Sequence, residues 1–84
     1  MKHAGAAALD QIEPLIARIR AIPALREKSL GIFYVKSRAF LHFHEDPKGL
    51  FADVRSADGN GFDRFKVDEP ASWDGFLEVA KARA

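Results

Sequence analysis

Apolar residues recur at helical spacing near both ends of the chain and alternate with polar residues between them. Ile12, Leu15, Ile16, Ile19 and Ile22 follow at i, i+3, i+4, i+7 and i+10, one stripe of an amphipathic helix, with Arg18 and Arg20 off it. Asp10 and Glu13 have the spacing of a capping box, Pro14 suits a first helical turn, and Pro23 closes the helix. Ala24 to Ser29 has no clear period and reads as a loop. Ile32 to Val35 and Ala39 to His44 then read as strands, separated by the polar break Lys36-Ser37-Arg38. Asp46-Pro47-Lys48-Gly49 is a turn residue by residue, because Asp accepts backbone bonds, Pro presets φ and Gly supplies a positive φ. Leu50 to Arg55 and Phe62 to Val67 read as two further strands around the turn Ser56 to Gly61, which holds both Asp58-Gly59 and Asn60-Gly61 as candidates for the tight turn. After Asp68-Glu69-Pro70, Trp73, Phe76, Leu77 and Ala80 repeat at i, i+3, i+4 and i+7, a closing helix.

The pattern predicts an α+β domain: an N-terminal helix, a four-stranded antiparallel meander and a C-terminal helix, with the helices mainly on one sheet face. The 84 residues make one domain, with residues 1–8 loosely ordered. Register follows from parity, since a slip of one residue turns a strand over. A four-residue loop at Asp46–Gly49 pairs Glu45 with Leu50, His44 with Phe51, Phe43 with Ala52, His42 with Asp53 and Leu41 with Val54. Carried through two-residue loops, parity puts Ile32, Tyr34, Leu41, Phe43, Ala52, Val54, Phe65 and Val67 on the core face. The opposite face then shows Phe33, Val35, Phe40, His42, His44, Phe51, Asp53, Arg55, Phe62, Arg64 and Lys66. Two alternatives stay open at this point: one helix on each face, or a hairpin of the opposite parity.

Composition narrows the function classes. Thirteen Lys and Arg against twelve Asp and Glu give a net charge of +1, so no global field marks a nucleic-acid or membrane binder, and any basic patch must be local. Cysteine is absent, which removes disulfides, thiolate nucleophiles and Cys-based metal sites and suits a reducing cytoplasm. The Ala-rich start ends too soon for a signal peptide, and no stretch approaches the ~20 apolar residues of a membrane span. The expected protein is cytoplasmic, with no membrane association and no cofactor.

Four phenylalanines on an uncovered sheet face suggest a partner surface. Phe33, Phe40, His42, His44, Phe51, Asp53, Arg55, Arg64 and Lys66 are its candidate residues, and a homodimer or another protein partner is the leading expectation. The same aromatic and basic mixture is the composition of a base-stacking platform with phosphate contacts, so a nucleic-acid-binding module is the alternative. His42 and His44 leave a strand on one side with Asp53 opposite, three candidate ligands for a divalent metal. An enzyme is not indicated: His42 and Asp53 lack a nucleophile and an oxyanion site, and no serine sits in a nucleophile elbow.

The stretch FYVKSRAFLHFHEDPKGLFADVR resembles a group of small bacterial proteins that share a nearly identical hairpin core, AFLHFHEDPKGLFADVR, and have no assigned function. More loosely, the hairpin pattern Phe-x-Val-x-x-x-Ala-Phe is similar to that of the YjbR-like family, described as DNA-binding. Ser37 replaces a common glycine there and the chain is shorter. That resemblance implies no site residues and adds a little weight to the nucleic-acid alternative.

Overall fold

The computed structural model describes residues 2–84. A two-residue strand, β1 (Lys2–His3), leads into two short helices, α1 (Ala6–Asp10) and α2 (Glu13–Arg20). Ala4 and Gly5 join β1 to α1, Ala4 N–H donating to the Phe43 carbonyl at 3.1 Å and Gly5 N–H to Glu45 Oε2 at 2.8 Å. Pro14 lies in the first turn of α2, where no helical N–H is required. A single helix through it would have lost a backbone bond, which is why the apolar stripe spans α2 and its flanking turns rather than one long helix. Ile12, Leu15, Ile16, Ile19 and Ile22 are all buried nonetheless.

Ala24 to Ser29, expected to be a loop, contains an edge strand, β2 (Leu25–Ser29). Its only buried residue is Leu25, so neither alternation nor β-branched composition marks it. Charged residues suit an exposed sheet edge. Gly31 turns β2 into β3 (Ile32–Val35) with φ +74, and a Cβ there would lie 3.0 Å from Leu9. The long strand β4 (Arg38–Asp46), β5 (Gly49–Arg55) and β6 (Phe62–Lys66) follow. A 3₁₀ turn at Pro70–Ser72 leads into α3 (Trp73–Arg83). The sheet runs β2-β3-β4-β5-β6, with β1 continuing the β3 side of β4, so the architecture is α+β with an antiparallel sheet of six strands rather than four.

The β4–β5 register is the one parity requires: Leu41 faces Val54, His42 Asp53, Phe43 Ala52, His44 Phe51 and Glu45 Leu50. The β3–β4 hairpin breaks the extrapolation. Phe33 pairs with Leu41 but Tyr34 with Ala39, so β4 carries one extra residue, Phe40, as a bulge. The bulge turns β3 over. Phe33 is fully buried in the core, not on the open face, and Phe40 is also buried, at 4% exposure. Both therefore drop out as surface residues. Leu41, Phe43, Ala52, Val54 and Val67 join the buried residues of the three helices in one core. Trp73 seals its end, its buried indole N–H donating to the Val67 carbonyl at 2.7 Å. No helix among the described residues is long and apolar enough to cross a membrane.

Candidate metal centre

On the face away from the helices, strand alternation and register assemble a row of polar side chains. His42 and His44 lie two residues apart on β4 and project to one side. Register sets Asp53 of β5 opposite His42 and Arg64 of β6 opposite Asp53, while His3 of β1 faces His44. All three histidine rings of the chain thus meet, two of them, His42 and His44, beside the Asp53 carboxylate. Their ring centroids are 4.7 Å apart for His3 and His44, 4.9 Å for His42 and His44, and 5.7 Å for His3 and His42.

Asp53 is the buried centre of the row, at 6% exposure. Arg64 grips it with two nitrogens, Nε to Oδ1 at 2.8 Å and Nη2 to Oδ2 at 2.9 Å. The imidazoles crowd the second oxygen: His44 Nδ1 lies 3.3 Å and His42 Nε2 3.5 Å from Oδ2. Neither approach is a hydrogen bond, and His44 Nδ1 is buried without any hydrogen-bond partner among the described residues. One potential ligand atom from each of His42, His44 and Asp53 falls within 4.8 Å of the other two.

Burial, and the neighbouring histidines and Arg64, push the His42 and His44 pKa values below the ordinary imidazole range, although the Asp53 carboxylate pulls the other way. Burial disfavours the Asp53 charge, but hydrogen bonding and charge from Arg64, helped by the histidines, hold its pKa below the usual carboxylate range. At neutral pH His42 and His44 are therefore neutral imidazoles beside an ionised Asp53 carboxylate, the protonation state metal ligation requires.

The remaining candidates are dispersed. Phe51 is half-buried beside Lys66, which reaches Asp68 at 3.9 Å, and Arg55 turns toward backbone carbonyls at the end of the sheet while lying over the Phe62 ring. Phe62 also meets His42 edge-on, with centroids 5.0 Å apart. His3 was not a sequence candidate. A two-residue strand carries no periodicity, and only its pairing with β4 brings its ring to the cluster.

No family model, curated protein or solved structure matches the chain. Function must therefore be argued from the residues and their geometry.

Proposed function

We propose that this protein binds a divalent transition-metal ion of the zinc type through His42, His44 and Asp53, with His3 as the fourth ligand. The observation that carries this reading is the buried His44 Nδ1, with no hydrogen-bond partner, facing a carboxylate oxygen at 3.3 Å. Ligands bound ~2.0–2.1 Å from a tetrahedral zinc lie about 3.3–3.4 Å from one another. The approaches of the two imidazoles to Asp53 Oδ2, 3.3 and 3.5 Å, have that spacing before any ion enters. Each carboxylate oxygen offers two acceptor positions, so Arg64 orients Asp53 without using all of them. Imidazole nitrogen favours zinc, copper or nickel over magnesium and calcium. With the His3 ring beside these three ligands, a tetrahedral ion could be filled by protein groups alone, and metal holding is the proposed role, in the cytoplasmic setting that a cysteine-free chain suits.

Self-association and nucleic-acid binding through this face draw less support. Phe33 and Phe40 lie in the core, and Arg64 and Lys66 have Asp53 and Asp68 as partners. The test is Co²⁺ and Zn²⁺ titration of chelator-treated protein. One equivalent should bind, with the intense visible absorption of tetrahedral Co²⁺. Zn²⁺ at 100 times its dissociation constant should add about 2.7 kcal/mol of stability, on the order of 10 °C in Tm. Absence of stoichiometric binding, or binding that survives in His42→Ala unchanged, would overturn the reading.

A further inference from the structure

A second site lies at the other end of the sheet, where the β3–β4 turn, the β5–β6 turn and the end of α3 surround a cavity of about 360 Å³. Lys36, Arg38, Arg55 and Arg83 line it, and no carboxylate does. This concentration is not a sample of the whole surface. Of the seven arginines, Arg18, Arg20, Arg64 and Arg83 each lie within ion-pairing distance of a carboxylate, and Arg26, Arg38 and Arg55 do not among the described residues. Two of those three meet here.

Backbone carbonyls hold their guanidinium groups. Arg38 Nη2 donates to the Gly59 carbonyl at 3.0 Å, Arg55 Nη1 donates to the same oxygen at 3.1 Å, and Arg55 Nε donates to the Ala39 carbonyl at 2.8 Å. Gly59 presents that carbonyl from a turn conformation of φ +79 that favours glycine. Of the five N–H groups on a guanidinium, Arg55 uses two in this way and Arg38 one, and the acceptors are neutral. Two positive charges are thus drawn together on one oxygen, with no carboxylate within ion-pairing distance of either among the described residues. Buried Phe40 supplies an apolar lining.

We infer that this cavity binds a small molecule through a terminal phosphoryl group. Lys36, Arg38 and Arg55 offer more positive charge than one carboxylate neutralises, whereas a terminal phosphate brings about −1.5 to −2 and three acceptor oxygens. Two held guanidinium forks match those oxygens in shape as well as charge. The volume is that of a small-molecule site. No histidine lines the cavity, so this inference stands apart from the metal reading.

The experiment is an NMR titration of chelator-treated protein with inorganic phosphate, with sodium chloride at matched ionic strength as reference. Saturable shifts are expected at the Arg38 and Arg55 side-chain Nε–H groups and at the Gly59 amide. Arg38→Gln and Arg55→Gln should each weaken binding about tenfold or more, and Arg26→Gln, an unpaired arginine elsewhere, should leave it unchanged. Arg38 is exposed, so its variant keeps the test valid should Arg55→Gln unfold. Shifts matched by chloride, or unchanged in Arg38→Gln, would overturn the inference. So would a deoxyoligonucleotide without terminal phosphate that binds at these residues more tightly than phosphate, since the phosphodiester backbone would then be the ligand.

Discussion

Arg20 and Arg64 each grip a carboxylate with two nitrogens, one at the β2 edge and the other on the open face of the sheet. Around Arg20 all three guanidinium nitrogens are used. Its Nε and Nη2 donate to Glu27 at 2.6 and 3.2 Å, its Nη1 donates to Glu13 at 2.8 Å, and Gly31 N–H completes Glu27 at 2.9 Å. Around Arg64 the same fork on Asp53 is accompanied by two imidazole nitrogens close to the carboxylate without hydrogen bonds, one of them wholly unpartnered. The first cluster ties α2, β2 and the β2–β3 turn together and asks for nothing more. The second gathers polar groups in a partly buried place without satisfying them, an arrangement that stability alone does not favour. The proposed ion would supply what is missing.

The sharpest way to break this contrast is His44→Phe. An aromatic side chain of similar shape removes the unpartnered nitrogen together with its desolvation penalty. Metal affinity should fall by more than about 100-fold, beyond the effect of losing a mere supporting residue. Metal-free stability, read by urea unfolding in chelator, should stay within about 1 kcal/mol of the wild type and shift toward greater stability. A loss of several kcal/mol in chelator would mean that His44 is a structural residue and that the two clusters are alike.

The matching change at the finished cluster is Glu27→Gln, which should behave in the opposite way. It weakens a two-nitrogen ion pair on a largely buried carboxylate, and after allowance for the solvent that reaches Arg20 the expected cost is about 1 kcal/mol. Metal affinity should not change. If Co²⁺ binding weakened in Glu27→Gln, the separation of the clusters into structural and ligand-binding would fail.

Both clusters were only half legible in the sequence. The His42, His44 and Asp53 placement followed from alternation and the Asp46–Gly49 turn, because the apolar residues Leu41, Phe43, Ala52 and Val54 fit a buried face in only one register. Beyond that hairpin the sequence pattern is silent where one residue or a few polar ones decide. The Phe40 bulge leaves no composition signal and reverses Phe33. The LREKS segment looks like a loop because an edge strand with one buried residue has no pattern to detect. Glu27 falls within that loop reading and His3 within the loose start, although long-range pairing gives each its role. The basic cavity was hidden for a related reason: Arg38 and Arg55 are 17 positions apart in a chain of nearly balanced charge, and two turns bring them to the same carbonyl.

The smallest expected effect separates the clusters by acidity. Hydrogen bonding from Arg20 lowers the Glu27 pKa against the opposing effect of burial, with Gly31 N–H and the Arg20 charge adding to the decrease. A carboxylate held lower in the folded state than in the unfolded chain binds fewer protons when folded, so its stabilising contribution is complete above the unfolded value, ~4.3, and is lost as pH falls through the folded one. Asp53 and Asp58 are lowered too, so the wild-type acid limb alone does not isolate Glu27. The difference between wild type and Glu27→Gln does, since the other groups cancel. Measured by urea unfolding in chelator from pH 7 to pH 3, that difference should be constant at higher pH and close as pH drops below ~4.3. A gap that does not narrow between pH 7 and pH 3 would mean that Glu27 stabilises through shape or neutral hydrogen bonds. The Arg20 cluster would then not be the charge-completed reference against which the histidine cluster is judged.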